Sequence, residues 1–261
     1  LQDNWASDNL GLVNLVVRAM ARGKIFLYIV TGDGIYRRQL GRHRWERVEG
    51  TLPADPLSIG VDETDQVYVG TAAGLYRSSD HGKRWENVGE IPAGPITGLT
   101  SGEEGILAIA SKGIWAKSPG ADGGWKEIIP NQGGPIQHAV WRKGKGILAA
   151  TDQAIWEGNL EGEWRATAGE FLPGTTITSL AVSPSNNNLI YAGSDRGLFW
   201  SPDGGQEWHL ARLYQGELFE KQVNQVLPTE TRALWLATEE DGVILGIEKI
   251  GRSNWLKRWF K

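Results

Sequence analysis

The chain has no cysteine, so neither disulfides nor thiolate chemistry contribute to it. Cysteine-free chains occur on both sides of a membrane, and this absence leaves the compartment open. No segment reaches the roughly 18 uncharged apolar residues of a membrane-spanning helix. The N-terminal apolar stretch is broken by Arg18, Arg22 and Lys24. His43, His81, His138 and His209 lie far apart, without H-E-x-x-H spacing, which argues against a histidine metal centre. No G-x-x-x-x-G-K-[ST] element supports nucleotide binding, and no cofactor is expected. A formal net charge of -4 argues against a nucleic-acid partner. The sequence opens on Leu1 instead of methionine, which leaves room for a signal peptide, membrane anchor or other leader ahead of it.

Tryptophan and glycine, by contrast, are abundant, and they recur with a period near forty residues, the signature of a propeller blade. The clearest repeat is Ser78-Ser79-Asp80-His81-Gly82-Lys83-Arg84-Trp85, which returns as Ser201-Pro202-Asp203-Gly204-Gly205-Gln206-Glu207-Trp208. Each copy follows an apolar run and a glycine-aromatic step, Gly74-Leu75-Tyr76 or Gly197-Leu198-Phe199. Such a stretch predicts a strand entering a tight turn. The Asp carboxylate accepts backbone N–H bonds there, and glycine takes a positive φ. The tryptophan then opens the return strand and packs over the hairpin.

The same grammar runs along the chain. Gly34-Ile35-Tyr36 with Trp45, Gly113-Ile114-Trp115 with Trp125, Ala154-Ile155-Trp156 with Trp164, and Gly242-Val243-Ile244 with Trp255 mark four further units. Each unit also has an earlier apolar run, for example Leu15-Val16-Val17 or Ile177-Thr178-Ser179-Leu180. The prediction is an all-β, six-bladed β-propeller of four-stranded antiparallel blades, strands A to D from the axis outward. The blades fall at about 11–50, 51–91, 92–130, 131–170, 171–213 and 214–261, in one domain spanning 1–261. Residues 1–10 lie at the closure seam, where Trp5 and Trp255 compete for the last outer-strand position.

The motif S-x-D-x-G-x-x-W resembles the Asp-box, or BNR repeat, of the sialidase-like propeller superfamily. In its non-enzymatic branch it is similar to propellers of the photosystem II assembly and stability factor type. The resemblance implies that Ser78, Asp80, Gly82, Trp85, Ser201, Asp203, Gly205 and Trp208 are structural, on an outer rim away from any active site. It also implies an extracytoplasmic protein: periplasmic, lumenal or secreted. Those relatives are typically seven-bladed and carry a basic patch, so the likeness covers the repeat chemistry.

A sialidase would need an Arg-Ile-Pro-like element, an arginine triad around a central pocket, an acid Asp and a Tyr/Glu nucleophile pair. None assembles: Arg18, Arg22, Arg37, Arg38, Arg42 and Arg44 crowd blade one. No catalytic or metal-ligating residue is assigned. The alternative is a carbohydrate-active propeller, a lectin or a glycosidase other than a sialidase, whose two carboxylates would come from distant loops. It would require aromatic faces open to solvent at equivalent places in several blades.

The B–C and D–A connections of a propeller share one face. Its B–C turns carry Asp33, Asp152, Asp195 and the run Glu239, Glu240 and Asp241, relieved by Lys112 and Arg196. This acidic arc suits a basic partner segment or a hard cation held by oxygen ligands. Tyr214 and Phe219, in the connection to blade six, add apolar surface of the kind interaction hot spots use. The tail holding Arg252, Lys257, Arg258, Trp259 and Lys261 mixes cations with aromatics, which suits the closing outer strand or docking on an anionic membrane surface or partner. The functional expectation is a non-catalytic interaction scaffold or assembly subunit. It binds a protein partner, with a membrane complex as one setting, through the B–C/D–A face. Glycan binding and peripheral membrane association stand beside it, with no transmembrane span.

Overall fold

A computed structural model describes residues 9–247 except 92–93, 103, 111–112, 120–123, 129–134, 152–153, 168–174, 212–219, 231–232 and 240. It is an all-β, six-bladed propeller. Five blades are four-stranded antiparallel sheets, and the sixth has three described strands. Blade one runs through A (Val17–Arg22), B (Phe26–Thr31), C (Gly34–Gln39) and D (Glu46–Arg47). The A strands of blades two to six are Pro56–Val61, Ile96–Gly102, His138–Arg142, Ile177–Ser183 and Val223–Pro228. Strands B and C of blade six are Ala233–Thr238 and Val243–Ile247. Trp5, Trp255 and the cationic tail lie outside the described residues.

The blades pack through six apolar clusters, one at each interface. Blade one meets blade two through Tyr28, Val30, Ile35, Ile59 and Val69, and blade five meets blade six through Leu189, Tyr191, Leu198, Val226 and Leu236. The B strand of blade two, Val67–Thr71, is buried at every residue because each of its faces meets a blade. The outer D strands invert this pattern. Glu46–Arg47 and Glu86–Asn87 are short, exposed and polar, which protects the sheet edge from further pairing.

The D-strand tryptophans reach further than their own hairpins. Trp164 lies against Gly158 of its own blade and Trp85 against Gly82, and each D-strand tryptophan also enters the cluster that its blade shares with the blade before it. Trp85 joins the cluster between blades one and two. Trp125 lies edge-on to Tyr68 of blade two, with ring centroids 5.9 Å apart. Trp164 and Trp208 repeat the arrangement at the next two interfaces. Trp45 belongs to the interface between blades six and one, where the Arg38 guanidinium lies over both its ring and that of Trp235.

Closure is direct: blade six packs on blade one. Asn224 Nδ2 donates to the Val17 carbonyl at 3.0 Å, and the Gln225 side-chain oxygen accepts the Met20 N–H. Comparable bonds join other inner strands around the axis. Ser58 Oγ donates to the Ile96 carbonyl at 3.0 Å, the Val61 N–H reaches Ser101 Oγ at 3.2 Å, and the Leu180 N–H reaches His138 Nδ1 at 3.0 Å. His138 is buried, and burial pushes its pKa down to about 4, so it folds as the neutral imidazole.

Both Asp-boxes adopt the expected turn. Ser78 Oγ donates to Asp80 Oδ1 at 2.8 Å and accepts the Gly82 N–H at 2.8 Å, while Asp80 Oδ1 accepts the Arg84 N–H at 2.9 Å. Ser201 and Asp203 repeat this with Gly205, Gln206 and Glu207. The Arg84 N–H leads the hydrogen bonds that hold the Asp80 carboxyl below its ordinary range. At Asp203, partial burial pushes upward, but bonds from the Glu207 N–H, the Ser201 hydroxyl and the Gln206 N–H together outweigh it, and the pKa is lowered. Gly205 sits at φ +96°, a conformation that side chains rarely adopt. The boxes brace against the preceding blade. Arg37 Nη1 donates to the His81 carbonyl at 2.7 Å, and a methyl at Gly204 would lie 2.4 Å from Arg142 Nη2. His81, in a turn that predicts an exposed side chain, is half-buried and lies 3.2 Å from the Tyr28 hydroxyl of blade one.

Ser201→Ala leaves the Gly205 N–H without its acceptor in a buried turn and should cost about 1–3 kcal/mol of stability in chemical denaturation, with strand content unchanged by circular dichroism. His138 gives a second expectation. Its folded pKa lies below its unfolded value, so the unfolded chain binds more protons between about pH 6.5 and about 4. The stability tied to it is present above that window and is lost as pH falls through it, to a limit on the order of 3 kcal/mol. Denaturation midpoints at pH 7, 5.5 and 4.5 should fall in that order, and His138→Gln should flatten the slope.

Candidate functional site

The strand registers place the start of each A strand opposite the end of its B strand: Val17 pairs with Thr31, Ile177 with Ser194 and Val223 with Thr238. The D–A connections and B–C turns therefore share one face of the ring. The A–B turns and Asp-boxes occupy the other.

Each B–C turn is built by a hydroxyl at the end of strand B, except in blade three, where Ala110 ends the strand. Thr31, Thr71, Thr151, Ser194 and Thr238 donate to the carbonyls of Gly34, Gly74, Ala154, Gly197 and Gly242 at 2.9–3.2 Å. These turn-formers are visible in the sequence as Ser or Thr three or four residues before the strand C opener. Blade four also carries a degenerate Asp-box. Asn159 stands five residues before Trp164, as Asp80 does before Trp85, and its Oδ1 accepts the N–H groups of Glu161 and Glu163 at 3.1 Å.

The acidic arc is only partly within the described residues, since Asp152, Glu240, Tyr214 and Phe219 lie outside them. Asp33 is held in its own turn, accepting Thr31 Oγ1 and the Tyr36 hydroxyl, both at 2.7 Å. Burial pushes its pKa up, but these two bonds and the nearby Arg47 outweigh it, and the net shift is downward. Asp195 is exposed and accepts the Thr176 N–H at 2.9 Å, and Arg196 beside it is also exposed. Glu239 is exposed, with one oxygen 3.0 Å from Asn224 Nδ2, and Asp241 pairs with Lys221. Asp195 and Glu239 thus present carboxylates on consecutive blades. Among the described residues, no group of three or more potential ligands is placed to hold a metal ion.

Two concavities open on the ring. The central channel, about 530 Å3, is lined by inner strands of every blade and by A–B turn residues such as Lys24, Glu63 and Glu104. A groove of about 670 Å3 lies between blades one and two on the B–C/D–A face, from Arg18 and Pro56 to Arg47 and Val48. The large apolar side chains exposed among the described residues are Leu10, Val13, Leu15 and Ile25. No aromatic ring joins them, while Tyr76, Trp115 and Trp156, at equivalent strand C positions of blades two to four, are half-buried.

Comparison with known proteins follows the same lines. The family profile described as "Photosynthesis system II assembly factor YCF48" matches residues 35–248. Photosystem II assembly protein Ycf48 of a Synechococcus strain is 27% identical over 217 residues, covering 77% of this chain and 59% of that protein. The photosystem II assembly lipoprotein Ycf48 of Trichormus variabilis is 27% identical over 168 residues, covering 62% and 49% respectively. The chain therefore spans about half the length of the curated relatives it matches. Among solved structures, a YCF48 bound to a D1 peptide superposes with a TM-score of 0.61 at 17% identity, covering 87% of this chain and 76% of that one. That structural likeness concerns the fold alone. The family profile, by contrast, extends from strand C of blade one to the end of the described part of blade six, and on that match the chain belongs to the photosystem II assembly factor YCF48 family.

Proposed function

We propose that this protein is a non-catalytic assembly scaffold that holds a polypeptide of a membrane complex, a photosystem II subunit, on its B–C/D–A face, at the lumenal or periplasmic side of the membrane. The observation that carries this reading is the open groove and the exposed charge that share the B–C/D–A face. On the Asp-box side, Asp80, Asp203, Arg142 and the D-strand tryptophans bind their own chain, while Lys83, Arg84, Gln206 and Glu207 are exposed. On the opposite face, Asp195 and Arg196 of blade five and Glu239 of blade six are exposed, and the groove lies between blades one and two. Ycf48 relatives named as assembly proteins, one of them a lipoprotein and one solved with a D1 peptide, supply the partner class. The arc's carboxylates suit a partner segment rich in Lys and Arg, which they would steer and orient.

The test is affinity isolation of the tagged chain from native membrane and soluble fractions, quantified by mass spectrometry, beside a variant carrying Asp195→Lys and Glu239→Lys. A photosystem II polypeptide should be recovered in near-stoichiometric amount with the parent chain and at least several-fold less with the variant. Equal recovery would move the contact away from the arc. If no subunit of a membrane complex is recovered, the scaffold reading fails.

A further inference from the structure

The second residue of strand A is a β-bulge in five blades. The register skips Arg18, Leu57, Thr97, Thr178 and Asn224, so each is left unpaired and its side chain is turned out of the ladder at the axial mouth of the B–C/D–A face. In blades five and six the bulged residue reaches across to the next blade: Thr178 Oγ1 donates to the Val223 carbonyl and Asn224 Nδ2 to the Val17 carbonyl. Arg18 holds the equivalent position in blade one but makes no such tie. It is exposed, has no hydrogen bond or ion pair among the described residues, and lines the groove toward blade two. Arg18 is the charged member of the five; the rest are neutral.

The groove's other ionic groups are disposed unevenly. Arg47 Nη2 donates to the Asp33 carbonyl at 2.6 Å, and the Asp33 carboxylate is taken by Thr31 and Tyr36. Glu49 and Asp55 are exposed along the rim, and Ile35, Leu52, Pro53 and Pro56 give apolar walls. The volume falls within the roughly 300–1,000 Å3 of ordinary ligand sites. We propose that this groove seats an extended segment of the protein partner, with an Asp or Glu side chain of that segment bound by Arg18 at the inner end and a Lys or Arg beside Glu49 and Asp55 at the rim. The inference rests on the scaffold reading and names the seat on that face. A guanidinium offers a carboxylate two parallel N–H donors, and the apolar walls raise the strength of that pair relative to open water.

The test is selection of random dodecapeptides displayed on phage against the purified chain, followed by fluorescence anisotropy of the enriched peptides as labelled synthetic versions. Enriched peptides should share an internal acid with a cation a few residues away. Arg18→Gln should weaken their binding about tenfold or more while leaving the thermal melt unchanged, since Arg18 makes no hydrogen bond or ion pair among the described residues. Arg18→Glu should recover affinity for peptides whose acid is replaced by Lys, and Glu49→Lys should weaken peptides that keep the rim cation. The proposal is overturned if no peptide is enriched, if the enriched set lacks an acid, or if Arg18→Gln binds within twofold of the parent. It is overturned equally if Arg18-dependent binding needs only a free C-terminal carboxylate. Peptide failure alongside undiminished recovery of the membrane partner would sink the groove alone. Loss of that recovery from the parent chain would sink the scaffold reading itself.

Discussion

An inner propeller strand has a neighbour on one side only, and its other edge faces the channel, where every N–H and C=O still needs a partner. Here side chains from adjacent blades supply several of them. Gln225 takes the Met20 N–H, His138 the Leu180 N–H and Ser101 the Val61 N–H, while Ser58 and Asn224 donate to carbonyls across the gap. These bonds fix the distance between inner strands, and the apolar clusters behind them fill what that distance leaves. The buried state of His138 belongs to the same constraint, because its neutral nitrogen must accept an N–H from blade five.

The ring divides its two faces unequally. Around the Asp-boxes, the Ser and Asp side chains of the motif and Arg142 are bound into the chain's own turns or between blades, while Lys83, Arg84, Gln206 and Glu207 stay in water. Arg142 alone bonds Glu157, the Asn187 carbonyl and Asn188. The opposite face is built by short hydroxyl-anchored turns whose tips stay in water, and there exposed charge and an open groove coexist with a rigid scaffold. Function on loops carried by a rigid frame is a common arrangement.

What was legible in the sequence was whatever is local. The Asp-box announces itself because its bonds join residues two to four positions apart, as Ser78, Asp80 and Arg84 do. The number of blades followed from the recurring glycine-aromatic step. Asn159 and the hydroxyls Thr31, Thr71 and Thr238 are equally local but carry a weaker signal, since Asn stands in for Asp and a lone Thr is common in any strand. The ties around the axis could not be read, because Met20 and Gln225 are 205 positions apart and nothing in either stretch announces the other. Arg18 was hidden for a different reason. A bulge depends on the register of its partner strand, so the sequence placed Arg18 in an arginine-rich blade without distinguishing it from Arg22 or Arg37.

The tryptophan arrangement imposes an order on synthesis. Each D-strand tryptophan finds its site on the blade already made, except Trp45, whose surroundings include Ala237 and Val243 from the last blade. As the chain emerges from the ribosome, Trp85, Trp125, Trp164 and Trp208 can dock as soon as they appear. Trp45 and the Arg38 side chain over it must wait through nearly two hundred further residues. Blade one is thus the first of the six to be made and the last to be completed, and a nascent chain carries Trp45 without its blade-six neighbours until the ring closes.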